Sequence, residues 1–339
     1  MGGDPQNLAI TFCYRALAHD RGQLHIVASS LAAAGCHVTQ VEDGPLNLGA
    51  EEIVWILDNA NWYPIIRQQL AARLKSERPF VVIWHAEPLP PPKAAGLPWP
   101  RLHLQEILQI LRRDVGATDV YTNYFRLRSL ARKGLPDLLV VSTPGGCEFL
   151  AERGIPAHWV PFGYDPSYGH YLGLARDIDV LFIGALNIPR RRRLIRQLRQ
   201  QGIELSAVGS WSDPAYWGEN RTQLLNRTKI ILNLQRYPGQ LSGLRFILAM
   251  ANRVLVVSEP VYHPAPYVPG KHYVSAPIGE MPQVIRYYLA HDDEREAIAS
   301  EGHRFVTQEL TMARSVSRIL ELIRERASNA DSTVPATDT

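Results

Sequence analysis

Residues 178–198 read IDVLFIGALNIPRRRRLIRQL, and this stretch places a strand, a glycine turn and a helix in direct succession. Its first part, Ile178–Ile183, is almost entirely apolar, which is typical of a strand buried on both faces of a parallel sheet. Gly184 ends that run, and Pro189 begins a helix that Gly202 closes. Strands that alternate with helices pair in parallel, so this stretch favours an α/β fold.

Similar short apolar runs recur along the whole chain and alternate with helical patterns. In the first half they cover residues 8–12, 53–57, 80–84 and 138–142. In the second half they cover residues 178–183, 204–208, 230–234 and 254–258. We therefore predict an α/β protein with two Rossmann-like parallel-sheet domains.

The length of the chain also fits two domains, because 339 residues are more than twice the roughly 150 residues of a common domain. The run WVPFGYDPSYGHYLGLAR is rich in proline, glycine and aromatic residues, and it predicts a hinge. The last residues carry almost no apolar side chains and predict a disordered tail. The predicted parts are an N-terminal domain at 1–162, a hinge at 163–176, a C-terminal domain at 177–310, a final helix at 311–327 and a tail at 328–339.

Composition excludes several classes of protein. Charged residues make up 20% and hydrophobic residues 46% of the chain, as in globular proteins rather than disordered ones. The net charge of +3 gives no overall field for nucleic acid, so we expect no nucleic-acid partner. Cys13, Cys36 and Cys147 are odd in number and widely spaced, which argues against a disulfide framework. No apolar run reaches the ~18 residues of a membrane span, and we expect no transmembrane segment and a cytoplasmic protein.

The loops after the strands of the second half are candidates for a ligand site, because parallel sheets bind ligands beyond the carboxyl ends of their strands. Gly184 lets the backbone come close to a ligand. Arg190 and Arg191 lie in the first turn of the next helix, where the helix dipole disfavours each positive charge by roughly 0.3–1 kcal/mol. A bound phosphate would offset that cost, while a solvated surface position is the other interpretation of Arg190.

A second anion site is predicted at a helix that begins near Ser242. The backbone N–H groups of its first turn are free to bind a ligand, and Gly243 allows a close approach. Ser242 is expected to cap the helix, and an ordinary N-cap without a ligand explains it equally well.

At this point the motifs DVLFIG, LNLQR, SGLRFILAMANRVLVVSE and IRYYLAHDDEREAIASEGHRFV make residues 178–322 resemble the C-terminal domain of GT-B glycosyltransferases. They most resemble the family-1-like group related to the spore-maturation glycosyltransferases. TDVYTN and HWVPFGYDPS resemble the end of that group's N-terminal domain and its linker. The resemblance implies transfer of a sugar from a nucleotide-sugar across a central cleft, with the donor on the C-terminal domain and the acceptor on the N-terminal one. It also implies that the last helix packs back towards the N-terminal domain.

Several residue roles follow from this resemblance. Gly184 matches the loop near the diphosphate, and Trp211 stands where the family contacts the base. Many relatives carry a glutamate directly after the Arg-Phe pair, where it binds the donor ribose, but here the residue is Ile247. Glu259 would take over that contact, unless it is an exposed loop residue. The expected donor-binding residues are Gly184, Asn187, Arg190, Gly209, Ser210, Trp211, Asn233, Arg236, Ser242, Gly243, Arg245 and Glu259.

A catalytic base is expected from the N-terminal side of the cleft. His85 and Glu87 follow a buried strand, and either would accept a proton from an acceptor hydroxyl. A structural, hydrogen-bonded role is the alternative for His85. His19 and Asp20, after the first strand, are weaker candidates on the same grounds.

A metal site is not expected. Asp177 and Asp179 have a DxD spacing, but they enter a strand at the end opposite the ligand edge, where they solvate the sheet. The predicted function is metal-independent transfer of a sugar with no cofactor, the nucleotide-sugar acting as co-substrate and the acceptor unknown. A nucleotide-sugar epimerase of the same fold and a degenerate, non-catalytic nucleotide- or sugar-binding protein are the alternatives.

Overall fold

A computed structural model describes residues 8–13, 21–46, 53–57, 63–100, 104–111, 120–209 and 217–331. Within these ranges, two parallel β-sheets carry helices on their faces. This is the predicted α/β architecture of two Rossmann-like sheets, and the prediction is confirmed. The predicted domain and hinge boundaries stay predictions.

The first sheet has the strand order β2-β1-β3-β4-β5-β6, and all its pairs are parallel. Its central strand β3 is buried at every residue, because helices cover both faces. The strands are β1 (Ala9–Cys13), β2 (His37–Val41), β3 (Ile53–Leu57), β4 (Phe80–His85), β5 (Leu138–Val141) and β6 (His158–Trp159).

The second sheet has the order β11-β10-β9-β7-β8, again with parallel pairs throughout. The chain order reverses between β7 and β9, and parallel α/β sheets bind ligands at such a point. The strands are β7 (Ile178–Ile183), β8 (Leu205–Val208), β9 (Thr228–Asn233), β10 (Leu255–Ser258) and β11 (Val274–Ser275).

Helices connect the strands of both sheets. The final helix packs against α1 and β5, so it joins the C-terminal part of the chain to the first sheet. It runs to Asp331, which corrects the start of the predicted tail, since residues 328–331 are helical. The helices are α1 (Arg21–Ala33), α2 (Pro64–Ala71), α3 (Leu104–Leu111), α4 (Val120–Arg132), α5 (Pro144–Ala151), α6 (Pro189–Gln200), α7 (Gly218–Asn226), α8 (Gly243–Ala251), α9 (Met281–Ala290), α10 (Asp292–Arg304) and α11 (Met312–Asp331).

All eight predicted strands are present within a residue or two of their predicted ends, whereas β2, β6 and β11 were missed. The sequence of β2, HVTQV, contains only two apolar residues, and none of its five residues is buried. β6 and β11 have two residues each, so neither leaves a pattern that exceeds that of a loop.

The loop after β10 contacts helix α5 of the first sheet. The Tyr262 hydroxyl donates to Glu148 Oε2 over 2.7 Å, and His263 Nδ1 lies 2.5 Å from Glu148 Oε1. A Cβ atom on Gly239, in the loop after β9, would lie 2.1 Å from Cδ1 of Leu97. The segments that follow the carboxyl ends of strands in the two sheets therefore contact each other.

Candidate functional site

Arg245 lies buried at the carboxyl edge of the second sheet, where its guanidinium joins two strand ends. It stands in the first turn of α8 and is only 8% exposed. Its Nε donates to the Ile183 carbonyl at 3.1 Å and its Nη1 to Asn233 Oδ1 at 2.6 Å. Asn233 is fixed in turn, because its Nδ2 donates to Ser258 Oγ over 2.8 Å. The guanidinium is therefore held at the point where the chain order reverses.

Arg191 brings a second guanidinium to the same place from helix α6. Its Nε donates to the Leu234 carbonyl at 3.0 Å, and its side chain is also only 8% exposed. The Phe182 ring lies beneath both charges, 5.6 Å from Cζ of Arg191 and 5.4 Å from Cζ of Arg245. Two cations thus share one aromatic face at the end of β7.

Neither guanidinium forms an ion pair with a carboxylate among the residues that the structure describes. The acceptors of Arg191 and Arg245 are backbone carbonyls and one amide oxygen. Burial, together with the charges of Arg236 and Arg190, lowers the pKa of Arg191 to about 10, while the charge of Glu259 opposes this shift. Burial likewise lowers the pKa of Arg245 to about 9, with a smaller contribution from Arg191. Holding two such charges out of water costs free energy that a bound anion would offset.

Two glycines keep this edge open. A Cβ atom on Gly184, where φ is +152°, would lie 2.8 Å from Nη2 of Arg245. A Cβ on Gly209 would lie 2.1 Å from the Gly184 carbonyl oxygen. The ends of β7 and β8 can approach each other and the guanidinium only because both residues lack side chains.

Arg190 and Glu259 bind each other. Nη1 of Arg190 lies 2.8 Å from Glu259 Oε2, and Nη2 lies 2.5 Å from Oε1. Glu259 is buried, with 5% exposure, and also accepts the backbone N–H of Gln235 at 2.8 Å. The alternative that Glu259 is an exposed loop residue is therefore wrong. Both of its carboxylate oxygens already accept hydrogen bonds, so a ribose hydroxyl would have to share Oε1 with Arg190 or replace one of these partners.

The helix start at α8 differs from the expectation in one respect. Ser242 occupies the predicted N-cap position, and its backbone carbonyl accepts the N–H groups of Arg245 and Phe246, but its side chain makes no capping hydrogen bond. A Cβ on Gly243 would have no atom within 4 Å, which means that the first turn borders open space. Ile247 is fully buried in the core, where it packs instead of facing the edge.

Four other residues are predicted to bind the donor, namely Arg236, Asn187, Ser210 and Trp211. Arg236 is half-buried and lies over the Tyr237 ring with its Cζ 5.6 Å from the centroid. Asn187 is exposed in the loop before α6. Ser210 and Trp211 lie outside the described residues.

The candidate bases lie at the carboxyl end of β4. His85 is 2% exposed, and its backbone carbonyl accepts the N–H of Ser142. Glu87 follows it and is half-buried. An acceptor would reach the imidazole only after neighbouring groups move, whereas the Glu87 side chain is partly accessible. His19 and Asp20 lie outside the described residues.

The DxD aspartates bind cations of the chain itself at the opposite edge of the sheet. Asp177 Oδ1 accepts from Arg227 Nε at 2.8 Å, and Asp179 Oδ1 accepts from Lys229 Nζ at 2.6 Å. The Arg227 hydrogen bond lowers the pKa of Asp177 below its usual value. Among the described residues, no three His, Cys, Asp or Glu side chains form a group that could hold a metal.

Residues 190–321 match the family model described as glycosyl transferase-like. The match covers less than half of the chain, and we refer to the matched segment as the glycosyl transferase-like domain. It contains Arg190, Arg191 and Arg245, so the two buried guanidiniums belong to it. None of the curated proteins matches the sequence.

Solved structures show the fold of the whole chain. HepE from Anabaena, crystallised with UDP-glucose, has 11% identity and a TM-score of 0.58 over 94% of this chain and 100% of its own. A sucrose-phosphate synthase from Thermosynechococcus elongatus has 13% identity and a TM-score of 0.59 over 95% and 100%. WaaG, a glycosyltransferase involved in lipopolysaccharide biosynthesis, has 12% identity and a TM-score of 0.54 over 93% and 99%. The fold is that of GT-B glycosyltransferases, and together with the glycosyl transferase-like domain it supports a glycosyltransferase.

Within the described ranges, no helix has the length and apolar character needed to span a membrane.

Arg191 is absent from the donor-binding residues that the sequence predicts, although its position in the sequence indicates burial. Arg191 occupies the same helix face as Leu194, Ile195 and Leu198, so an arginine on an apolar face indicated a buried charge.

Proposed function

We propose that the protein transfers a sugar from a nucleoside-diphosphate sugar to a hydroxyl group of an acceptor. The observation that carries this proposal is the pair of buried guanidiniums, Arg191 and Arg245, which lack a carboxylate partner in the described chain. A diphosphate supplies the missing negative charge and matches the planar donor geometry of guanidinium groups. UDP is the first nucleotide to test, because HepE of similar fold was crystallised with UDP-glucose.

The two guanidiniums would act on the leaving group. In the reaction, the bond between the sugar C1 and the β-phosphate oxygen breaks, and a bond from the acceptor oxygen to C1 forms. The electrons of the broken bond remain on the diphosphate, and Arg191 and Arg245 would stabilise that added charge in a site with little water. They would take the role that a divalent cation has in other phosphate chemistry, which supports metal-independent transfer.

Neighbouring groups would complete the donor site. The first turn of α8, at Ser242 and Gly243, would offer backbone N–H groups to a phosphate. Arg190, whose charge is balanced by Glu259, would hold the residue after β10 beside Arg191 rather than bind the phosphate itself. Asn233 would keep the Arg245 guanidinium in place.

The acceptor would bind on the side of the first sheet. In an inverting reaction its hydroxyl proton needs a base, and Glu87 is more accessible than His85 for that role. In a retaining reaction the leaving phosphate itself would take the proton. We also propose membership of the family-1-like group related to spore-maturation glycosyltransferases, on the motifs quoted above, and a cytoplasmic location, on three unpaired cysteines.

Proton and phosphorus NMR of the purified protein with UDP-glucose, GDP-mannose or dTDP-glucose tests this function. A transferase releases free nucleoside diphosphate slowly through hydrolysis, and faster once glycans, lipids or small polyols are added as acceptors. Appearance of a second nucleotide-sugar without any acceptor would instead indicate an epimerase. Binding without any change of the donor over hours would indicate a non-catalytic protein and would contradict the proposal.

A further inference from the structure

A groove lies between helix α6 and strand β8, at the edge of the second sheet. It has a volume of about 580 Å³, within the roughly 300–1,000 Å³ of ligand pockets in general. The apolar part of its lining is Leu186, Ile195 and Ala207, and the basic part is Arg192, Arg196 and Arg199. The groove is therefore large enough to take several side chains of a partner.

The arginines of the groove share one face of α6. Arg192, Arg196 and Arg199 are four and three positions apart, so they are neighbours along about 10 Å of the helix, and all are exposed. Arg199 Nη2 donates to the Leu205 carbonyl at 2.7 Å. Arg192 and Arg196 have no acidic partner among the residues that the structure describes. Their charges are free to bind an anion.

The charge around the groove indicates the chemistry of the partner. Residues 186–207 contain six arginines and one acidic residue, an excess of five positive charges, while the whole chain has an excess of three. The rest of the chain is therefore slightly negative. A concentration of like charges on one surface attracts a partner of opposite charge and repels a partner of the same charge.

Strand β8 offers backbone hydrogen-bonding groups at the same place. Among the described strands β8 pairs only with β7, so its other edge is free. The Val208 carbonyl accepts the N–H of Gly184 and therefore points towards β7. Since the backbone groups of successive strand residues point to opposite sides, the N–H and carbonyl of Ala207 point away from β7. An extended segment of a partner can pair with such an edge.

Other anionic partners fit the groove less well. Its lining contains no aromatic ring on which a nucleic-acid base could stack. Ile195 is only 5% exposed, so the apolar part is recessed between helix and strand and cannot enter a lipid bilayer. An acidic segment with aliphatic side chains matches both the basic and the apolar part.

We propose that the groove between α6 and β8 binds an extended acidic segment of a partner protein. Carboxylates of the segment bind Arg192 and Arg196, its aliphatic side chains cover Leu186 and Ala207, and its backbone pairs with the free edge of β8. Leu186 is two residues from Gly184, which borders the guanidinium of Arg245. The partner therefore contacts the loop that carries the candidate donor site.

Fluorescence anisotropy of the full-length protein with a labelled peptide tests this proposal. The probe is a fluorescein-labelled peptide of repeated Glu-Glu-Leu-Gly units, and two analogues carry Gln in place of Glu or Ser in place of Leu. Wild type should bind the probe at least about tenfold more tightly than either analogue, because one lacks the charges and the other the apolar side chains. Binding should weaken at ~1 M salt, where screening acts within about 3 Å.

Variants of the protein separate the two parts of the groove. Arg192→Gln with Arg196→Gln should weaken binding of the probe at least about tenfold, because it removes cations that face the segment. Leu186→Ser should instead reduce the preference for the probe over the analogue with Ser, because it removes an apolar contact.

The matched control removes two charges elsewhere. Arg132→Gln with Lys133→Gln, at exposed positions around the end of α4, should leave the affinity for the probe within about twofold of wild type. Because the substituted Arg and Lys positions are all exposed, thermal melts should show that both double variants fold.

Any of four results would overturn the proposal. Equal affinity for the probe and its Gln analogue, or unchanged binding by the Arg192→Gln, Arg196→Gln variant, would exclude an acidic segment in this groove. Tighter binding of a double-stranded DNA oligonucleotide than of the probe would assign the groove to nucleic acid. Self-association of wild type that this variant abolishes would assign it to a second copy of the chain. Peptide binding is measured without nucleotide, so its failure leaves the proposed glycosyl transfer standing.

Discussion

The residues that decide the proposed function are two buried arginines that pair with no carboxylate among the described residues. Arg78 shows the contrasting case, since it is 6% exposed and pairs with Asp137 at 2.8 Å. Arg191 and Arg245 have similar burial, but their hydrogen-bond acceptors in the described part of the chain are all neutral. An ion pair with an acidic residue marks a buried arginine as structural, whereas a buried arginine without such a pair is a candidate for ligand binding.

This contrast predicts opposite effects on stability. Arg78→Met leaves Asp137 with only the exposed Lys75, at 3.6 Å, and the backbone N–H of Val81, so we expect it to reduce the free energy of unfolding by about 3 kcal/mol. Arg191→Met removes a buried charge that forms no ion pair with the described residues, and its unfolding free energy should stay within about 1 kcal/mol of wild type. Urea unfolding without ligand measures both. Similar losses in the two variants would show that Arg191 is a structural residue.

Glycines at the edge give a second residue-level prediction. Gly209→Ala would place a Cβ 2.1 Å from a backbone oxygen, and we expect a loss of at least about 2 kcal/mol of unfolding free energy. Gly243→Ala meets no atom within 4 Å and should stabilise the protein by about 0.4–1 kcal/mol. Thermal melts of both variants decide this, and equal melting temperatures would contradict the close packing at Gly184.

For single residues, the sequence predicts which of them lie at the site better than it predicts which of them bind each other. Arg245, Asn233 and Gly184 were expected at the site and lie together at one edge. Arg190 was also expected, but its ion pair with Glu259 joins residues that are 69 positions apart. No local pattern could show that pair, because it depends on how β9, β10 and α6 are placed by the sheet.

Among the helices and strands, the apolar pattern of the sequence predicts the ones that are buried. Ile178–Ile183 and Ile53–Leu57 were predicted with their observed bounds, because burial on both faces leaves a continuous apolar run. The edge strand His37–Val41 was missed because it has no buried face. Helix α3 shows the converse case, since its apolar face is periodic but exposed.

Helix α11 ties the end of the chain to the first sheet, which predicts a large effect of its buried side chains. Ile319 is fully buried, and Ile319→Ala should cost about 2–5 kcal/mol of unfolding free energy. Glu321 lies two residues further, half exposed and paired with the exposed Arg318, so Glu321→Ala should change it by less than about 0.5 kcal/mol. Urea titration of both variants would contradict this packing if Ile319→Ala were as harmless as the control.

At the scale of the whole molecule, the two sheets meet through Glu148, which binds Tyr262 and His263 of the other domain. The Glu148 hydrogen bond raises the pKa of Tyr262 above its usual value, as expected for a phenol that donates to a carboxylate. Domain closure of this kind excludes water from a cleft, and it limits how fast substrates enter.

Removal of this contact should open the molecule. We expect Glu148→Ala to increase the radius of gyration in small-angle X-ray scattering, because both cross-domain hydrogen bonds are lost. Glu152→Ala is the control, since Glu152 lies one turn further along α5 and binds Lys93 and Arg153 of its own domain. An unchanged radius of gyration in Glu148→Ala would mean that other contacts hold the two sheets together.

The central claim is that Arg191 and Arg245 bind a diphosphate, and calorimetric titration with UDP and with uridine tests it most directly. Wild type should bind UDP at least about a hundredfold more tightly than uridine, a difference of about 2.7 kcal/mol. Arg191→Met should reduce this ratio to about tenfold or less with uridine affinity unchanged, while Arg199→Met, on the exposed side of the same helix, should retain it. A full ratio in Arg191→Met, or equal affinities for UDP and uridine in wild type, would contradict the account.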